Sequence, residues 1–262
     1  MIDIHSHILY GIDDGAVGLE MSLEMLRMAV GAGITDIFTT PHVNRRGVIP
    51  SWQQILDKVK ELQERATEAG IDIRIHAGAE VELNYETLQF LPADGKEYCL
   101  ANSSYILVEL TNQSQPDQTE ELLFELMLRG YIPVLAHPER YDRMMTHPER
   151  ILRWMHKGML TQCNMGSFHG DFGQTIQQRA VELLRHQMIC FLGSDAHRIE
   201  RRNPDVRPAR RSLQGLAGVK QLWDKAEKNA GKILVDRVFY PDLPAHWTAD
   251  KTSFFARLFG NK

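Results

Sequence analysis

The chain of 262 residues has few cysteines, and their arrangement excludes two kinds of site. Cys99, Cys163 and Cys190 are odd in number, widely spaced and without a C-x-x-C pair. They therefore predict neither a disulfide framework nor a zinc knuckle. The chain also lacks a G-x-G-x-x-G motif after its first predicted strand, so a dinucleotide site is not expected.

Charge and hydropathy exclude two further classes of partner. The 34 acidic and 30 basic side chains give a net charge of −4, which is not the positive surface that nucleic acid binding requires. No apolar run approaches the length of a membrane span, and no basic and then apolar leader precedes His5. With 43% hydrophobic and 24% charged residues, the sequence is typical of a globular protein. We expect a cytoplasmic location.

Segments in which apolar residues recur at every second position alternate along the chain with segments in which they recur about every 3.6 positions. The predicted strands are Ile2–His7, Asp36–Thr40, Asp72–Val81, Tyr105–Leu110, Ile132–Ala136, Leu160–Asn164 and Met188–Leu192. The predicted helices are Leu19–Ala32, Trp52–Ala69, Asp117–Arg129, Pro148–Lys157, Phe172–His186 and, approximately, Ala209–Asn229. This alternation predicts an α/β fold with a parallel sheet. At this length a single-domain (β/α) barrel of the TIM type is favoured over an open, doubly wound sheet.

Histidine and carboxylate side chains recur where the predicted strands end. His5 and His7 stand two residues apart, so both imidazoles lie on the same face of an extended chain. The full set is His5, His7, His42, Glu80, Glu109, His137, Asp195 and His197, with Asp13 or Asp14 just after the first strand. In a barrel all of these strand ends open on one face. So many nitrogen and oxygen ligands predict a multinuclear centre for Mn, Fe, Zn or Mg, with a bridging carboxylate such as Glu80.

Short motifs spread over nearly the whole chain carry a family resemblance. They are His5-Ser6-His7, Asp13-Asp14-Gly15, Pro41-His42, Glu80, Glu109, His137-Pro138-Glu139-Arg140-Tyr141 and Gly193-Ser194-Asp195-Ala196-His197. Together they resemble the polymerase-and-histidinol-phosphatase (PHP) family. Other branches of the family usually have histidine at the positions of Asp14 and Glu109. With carboxylates there, the chain resembles the branch of bacterial manganese-dependent tyrosine-protein phosphatases of capsule and exopolysaccharide synthesis. The resemblance implies a distorted seven-stranded (β/α) barrel over residues 1–240 and a C-terminal tail, 241–262.

The resemblance also implies a set of ligands for three divalent ions, with manganese favoured over iron, zinc or magnesium. One ion would take His5, His7, Glu80 and Asp195, a second would share Glu80 and take Glu109 and His137, and a third would take Asp14, His42 and His197. The reaction implied is metal-assisted hydrolysis of a phosphomonoester, with phosphotyrosine of a protein such as a cognate bacterial tyrosine kinase as the substrate.

Two arginines are predicted to bind the phosphoryl group. Arg140 closely follows the ligand His137, and Arg207 lies in the loop after Asp195 and His197. A guanidinium binds phosphate oxygens with two parallel hydrogen bonds, which suits both positions. We count Asp14 with them among the catalytic residues.

Several other functions use similar residues. A small-molecule phosphatase of the histidinol-phosphatase type would use the same metal chemistry. A barrel amidohydrolase also begins with His-x-His, but it commonly has a carboxylated lysine where this chain has Glu109. A non-catalytic module would hold its metal in a closed, mononuclear site. A cysteine-based tyrosine phosphatase is excluded, because the residues six positions after the cysteines are Tyr105, His169 and Ala196 rather than arginine.

Two segments carry open alternatives. In the loop after His42, either Arg45 or Arg46 could contact the substrate. The tail contains the apolar residues Phe254, Phe255, Leu258 and Phe259. These could share one face of two helical turns and either pack on the protein or make a weak contact with a membrane or a membrane-bound partner.

Overall fold

Short parallel strands alternate with helices in the computed structural model, which describes residues 1–45, 48–214 and 219–248. The strands are β1 (Ile2–Asp3), β2 (Asp36–Thr39), β3 (His42–Val43), β4 (Arg74–Ala77), β5 (Glu80–Glu82), β6 (Tyr105–Glu109), β7 (Ile132–Ala136), β8 (Leu160–Asn164) and β9 (Phe191–Gly193). The helices are α1 (Leu19–Gly31), α2 (Trp52–Glu68), α3 (Thr87–Phe90), α4 (Pro116–Leu128), α5 (Asp142–Met145), α6 (Pro148–His156), α7 (Met165–His169), α8 (Gln174–Arg185), α9 (Arg207–Ser212) and α10 (Val219–Leu234). The predicted α/β fold is confirmed.

Most predicted helices are confirmed to within two residues at each end. α2 shows why, because Ser51 accepts a hydrogen bond from the backbone N–H of Gln54 and so caps the helix start. The final predicted helix is instead two helices, α9 and α10. Residues 46–47, 215–218 and 249–262 lie outside the described part of the chain. The expectations for Arg46 and for the phenylalanines of the tail therefore fall on residues that the structure does not describe.

The strands that are described form two parallel sheets rather than one closed sheet. The smaller has the order β1-β2-β4, and the larger has the order β3-β5-β6-β7-β8-β9. The second predicted strand is β2, and a short additional strand, β3, follows it in the other sheet. The third predicted strand is divided into β4 and β5, which lie in different sheets. Pro41 separates β2 from β3, because proline has no N–H to donate to a ladder. Gly78 separates β4 from β5, where a Cβ would lie 2.7 Å from a side-chain carbon of Leu100.

The first and last strands meet, although they belong to different sheets. The N–H of Asp195 donates to the carbonyl of His5 at 2.8 Å, and the N–H of His7 donates to the carbonyl of Ala196 at 2.8 Å. Ser6 and Ala196 form a parallel bridge beyond the ends of β1 and β9. These bonds place the residues that follow both strands side by side.

Helices cover the sheets and leave the strand ends open. All five residues of β6 are buried, as expected for a parallel strand that is covered on both faces. The buried residues of α2 are Ile55, Val59, Leu62 and Ala66, which form one stripe along the helix. No helix within 1–45, 48–214 and 219–248 has the length and apolarity needed to cross a bilayer.

Candidate metal centre

The nine side chains predicted as ligands converge at the carboxyl ends of the strands. The Glu80 carboxylate lies at the middle of the group, and four imidazoles surround it. Its Oε2 is 3.4, 3.3 and 3.0 Å from nitrogens of His5, His7 and His42, and its Oε1 is 2.8 Å from Nε2 of His137. These histidines follow three different predicted strands. The fold therefore gathers, at one carboxylate, residues that are far apart in the sequence.

Asp195, Glu109 and Asp14 complete the group on three sides. Oδ1 of Asp195 is 3.6 Å from His5 and 3.5 Å from His7. Oε1 of Glu109 is 2.9 Å from Nδ1 of His42. Oδ1 of Asp14 is 3.5 Å from Nε2 of His42 and 3.5 Å from Nε2 of His197.

The donor atoms fit divalent metal ions. Three overlapping groups have donor atoms within 4.8 Å of one another: His7, Asp14, His42 and His197; His5, His7 and Glu80; and His42, Glu80 and Glu109. Within the described residues, four buried atoms of these groups have no hydrogen-bond partner: Nδ1 of His42, Oε2 of Glu80, Oε1 of Glu109 and Nε2 of His197. Unpaired buried nitrogens and carboxylate oxygens are costly unless an ion binds them. Because the set contains no thiolate, it suits Mn, Fe, Zn or Mg.

Burial and neighbouring charges shift the pKa values of the cluster in both directions. Although burial opposes it, the Glu80 carboxylate raises the pKa of His42 to about 9, so this imidazole would have to lose a proton to bind a metal ion. Burial alone would raise the pKa of Glu80, but the imidazoles of His5 and His42 hold that pKa well below its usual value. Burial and repulsion by His7 lower the pKa of His197 to about 4. Glu80 is therefore ionised and His197 neutral near pH 7, and these are the forms in which a carboxylate and an imidazole ligate metal.

Neighbouring polar side chains fix the orientation of the ligands. Oδ2 of Asp13 is 2.7 Å from Nδ1 of His7, so Nδ1 carries the proton and Nε2 is directed to the cluster. Oε1 of Gln162 accepts from Nδ1 of His5 at 2.9 Å in the same way. The amide of Asn164 donates to Oδ2 of Asp195 at 2.6 Å. β8 supplies no ligand, but its Gln162 and Asn164 support two of them.

We expect Asp13→Ala to weaken metal binding without unfolding the protein. The variant loses the acceptor that fixes the His7 tautomer, and changes of this kind cost about 10–100-fold in metal affinity. Titration with Mn²⁺ against a competing chelator measures the effect. Asp13→Asn, which keeps an acceptor oxygen, should lose less affinity than Asp13→Ala. Equal affinity in Asp13→Ala and the wild type would contradict the role given to Asp13.

Two arginines contact the cluster from one side. Nη1 of Arg140 is 2.9 Å from Oδ2 of Asp195, and Nη2 of Arg202 is 2.6 Å from Oδ1 of the same carboxylate. The ring of Phe172 packs against both guanidinium groups, with centroid distances of 4.7 Å to Arg140 and 5.8 Å to Arg202. The structure thus brings Arg140 to the centre, as the sequence predicted. It also brings Arg202, one of several arginines in the loop after His197, to the centre. The sequence did not single this residue out.

Arg207 does not join the cluster. Its guanidinium makes two hydrogen bonds of 2.8 Å to the carboxylate of Asp205 and is exposed. Arg202 instead occupies the position that was expected of Arg207, and its backbone conformation explains why. The N–H of His197 donates to the carbonyl of Arg202 at 2.7 Å, and Arg202 has a φ of 51°. This tight turn returns the chain to the metal cluster five residues after His197, before Arg207 is reached.

Arg45 lies at the opposite edge of the cluster. Its Nη1 contacts Nε2 of His42 and is 3.4 Å from Oδ2 of Asp14. Of the two arginines considered for this loop, Arg45 is thus placed beside two of the predicted ligands.

Two cavities open beside the centre. The central cavity, of about 560 Å³, is lined by His42, Arg45, Glu80, Glu82, Glu109, Leu110, Thr111, Asn112, Gln113, His137, Arg140, Tyr141, Asp195 and Arg202. The side cavity, of about 670 Å³, is lined by Asp14, Met165, Gly166, His169, Asp171, Phe172, Ser194, His197, Arg198, Glu200, Arg201, Arg202, Asn203, Asp205, Val206, Pro208 and Ala209. Arg202 borders both cavities, and Arg207 lines neither.

Comparison with known proteins gives matches over almost the whole chain. The family model described as capsular polysaccharide synthesis, CpsB/CapC, matches residues 1–235. The chain is 36% identical over 244 residues to the tyrosine-protein phosphatase YwqE of Bacillus subtilis, which covers 93% of this chain and 95% of that protein. It is 29% identical over 245 residues to the tyrosine-protein phosphatase CpsB of Streptococcus pneumoniae, which covers 91% of this chain and all of that protein.

A solved structure gives a similar result for the fold. It comes from work on YwqE from Bacillus subtilis and CpsB from Streptococcus pneumoniae, described as unique metal-dependent tyrosine phosphatases. Its TM-score against this chain is 0.86 at 31% identity, with 95% of this chain and 100% of that chain covered. The similarity therefore extends through every strand end that contributes to the cluster.

Proposed function

The chain belongs to the CpsB/CapC family of capsular polysaccharide synthesis, and from this we propose that it is a metal-dependent phosphatase of phosphotyrosine in proteins. The observation that carries the proposal is the convergence of the nine predicted ligands with Arg140 and Arg202 beside the central cavity, which five of the nine line. The ligands provide for cations, and the arginines provide for the anionic oxygens of a phosphoryl group.

Three divalent ions, manganese by preference, would occupy the cluster. His5, His7, Glu80 and Asp195 would hold the first, Glu80, Glu109 and His137 the second, and Asp14, His42 and His197 the third. The groups of donor atoms support part of this division, since they join His5 and His7 to Glu80, Glu80 to Glu109, and Asp14 to His42 and His197. When bound, the metals supply Lewis acidity and activate water near neutral pH.

The side chains around the metals have separate tasks. The ring of Phe172 packs against the guanidinium groups of Arg140 and Arg202, and both groups contact Asp195. At this position beside the predicted metal site, the two arginines can donate hydrogen bonds to phosphoryl oxygens. We propose Arg202 for the task that the sequence suggested for Arg207. Asp13 is hydrogen-bonded to His7 and holds a pKa of about 2, because His7 outweighs the effect of burial. It is therefore ionised, and it cannot serve as a proton donor near pH 7.

Among the described residues beside the cluster no side chain stands out as a proton donor, which favours an aryl phosphate substrate. Phenol has a pKa near 10 and leaves as the anion far more easily than an alkoxide. We expect kcat/KM for a phosphotyrosine peptide to exceed that for a phosphoserine peptide and for histidinol phosphate by about tenfold or more. Steady-state kinetics with the three substrates checks this. Equal or better hydrolysis of histidinol phosphate would favour the small-molecule phosphatase instead.

The three cysteines should have no part in the reaction. All three are buried, and burial raises the pKa of Cys99 to about 12 and that of Cys190 to about 11. The thiolate form is therefore scarce. With all three replaced by alanine, which suits a buried position better than serine, kcat/KM should stay within about threefold of wild type. A folded, metal-loaded variant without activity would contradict the metal-based mechanism.

We further propose a finer architecture and setting for the enzyme. The bonds from Asp195 to His5 and from His7 to Ala196 support a distorted seven-stranded barrel over residues 1–240, in which the two sheets are arcs of one wall. Residues 241–262 would form a C-terminal tail, in whose described part the ring of Trp247 stacks on that of His186. The substrate would be a cognate bacterial tyrosine kinase or another protein of capsule synthesis. Three free cysteines support a cytoplasmic location.

A further inference from the structure

The side cavity adjoins the metal centre. Apart from three residues at its border and Phe172, its lining has no part in the proposed reaction. Asp14, His197 and Arg202 form that border, and the rest of its wall comes from α7, α9 and the loops beside them. At about 670 Å³ the cavity has the size of sites that hold small organic groups. A substrate whose phosphoryl group contacts Arg202 therefore has an open space next to it.

The floor of the side cavity is apolar. Met165, Val206 and Ala209 are almost completely buried beneath it, and Phe172 forms the wall on the side of the arginines. In the central cavity the wall is instead made mainly of ligands and other polar side chains. Apolar surface in the side cavity favours an aliphatic or aromatic group of the substrate.

Charged groups stand mainly at the rim. Arg198 donates to the carbonyls of Asp14 and Gly15, and Asp205 is paired with Arg207, so neither of these two charges is available for a ligand. Glu200 and Arg201 are exposed and of opposite sign. Charges of both signs nearly balance in the lining, which leaves the apolar floor as the main basis for selectivity. The lining has four acidic residues and three arginines: Asp14, Asp171, Glu200 and Asp205, and Arg198, Arg201 and Arg202.

We propose that the side cavity binds an apolar side chain next to the phosphotyrosine of a peptide substrate. A peptide chain continues on both sides of the phosphotyrosine. A neighbouring residue on one side can therefore enter the side cavity, while the chain on the other side lies along the central cavity. Histidinol phosphate has no such neighbouring residue. This inference rests on the proposed phosphatase function and adds a preference within the class of phosphotyrosine peptides.

The test compares substrates that differ only beside the phosphotyrosine. Three probes are used: a nine-residue phosphotyrosine peptide with leucine on both sides of the phosphotyrosine, the same peptide with glycine there, and free phosphotyrosine. The wild type should hydrolyse the leucine peptide with a kcat/KM about tenfold above that of the glycine peptide, as expected for filling an apolar pocket. His169→Trp and Glu200→Trp, which place a large side chain at exposed rim positions, should remove most of that difference.

His147→Trp is the matched control, because His147 is 62% exposed and lines neither cavity. It should keep the preference for leucine. The inference is overturned if the wild type treats the two peptides alike, or if both rim variants keep the full preference. It is also overturned if the rim variants slow free phosphotyrosine as much as the leucine peptide, since the cavity would then hold the tyrosyl ring itself. Failure of the metal-loaded wild type on all three probes would instead contradict the proposed function.

Discussion

Glu80→Gln is expected to lower kcat/KM for a phosphotyrosine peptide by a factor of about 10³, or about 4 kcal/mol, and to remove most of the bound metal. Both oxygens of this buried carboxylate lie within 3.4 Å of imidazole nitrogens, so its charge acts on all parts of the cluster at once. Glutamine has the same shape but no charge, and one of its terminal atoms is a donor. Glutamine would therefore hold a divalent cation much less well than the carboxylate would.

Metal content by mass spectrometry and steady-state kinetics together measure the effect. Glu82→Gln is the matched control, since Glu82 lies two residues later on β5 and belongs to none of the three groups of donor atoms. It should keep its metal. Chelation of the wild type should reproduce the loss in Glu80→Gln, and addition of Mn²⁺ should restore the chelated wild type. A Glu80→Gln enzyme with normal metal content and normal turnover would refute the assigned role.

Arg140→Ala and Arg202→Ala are each expected to cost about 2–4 kcal/mol of transition-state stabilisation, or roughly 30- to 1,000-fold in kcat/KM. Each guanidinium lies within 2.9 Å of Asp195 and can supply hydrogen bonds to a phosphoryl oxygen. Both variants should keep their metal. Inorganic phosphate, a product of the reaction, should also inhibit them less than it inhibits the wild type.

Arg207→Ala separates the two assignments for the loop after His197. Because Arg207 is paired with Asp205 and lines neither cavity, its loss should change kcat/KM by less than about threefold, which corresponds to about 0.6 kcal/mol. A large effect in Arg207→Ala together with a small one in Arg202→Ala would restore the assignment made from the sequence. Small effects in Arg140→Ala and Arg202→Ala alike would remove both from the site.

The positions of the metal ligands could be predicted because each follows a strongly apolar strand. Tyr105–Glu109 shows the principle: four apolar residues set the strand, and the polar residue at its end points to the mouth of the fold. Parallel strands all end on the same side, so the order of elements was enough to bring Glu109 near His137 and His42. No knowledge of side-chain packing was needed.

The supporting residues and the second arginine could not be predicted in this way. Gln162 and Asn164 lie on β8 and support His5 and Asp195 through contacts that depend on side-chain direction. Arg202 reaches Asp195 through a turn with a positive φ, and nothing in the arginine-rich sequence of that loop distinguishes it from Arg207. The additional strand after Pro41 and the division of the third predicted strand at Gly78 depend on local sterics, and periodicity alone does not show them.

The contact between the first and last strands has a consequence for the synthesis of the protein. His5 leaves the ribosome early, but its partners Asp195 and Ser194 belong to the final strand and the turn after it. Domains fold as their last essential segment emerges during translation. The nascent chain therefore carries exposed histidines and carboxylates for most of its elongation, and it can assemble a complete centre only after His197 has left the exit tunnel. We therefore expect the predicted metal cluster to form late in the synthesis of the chain.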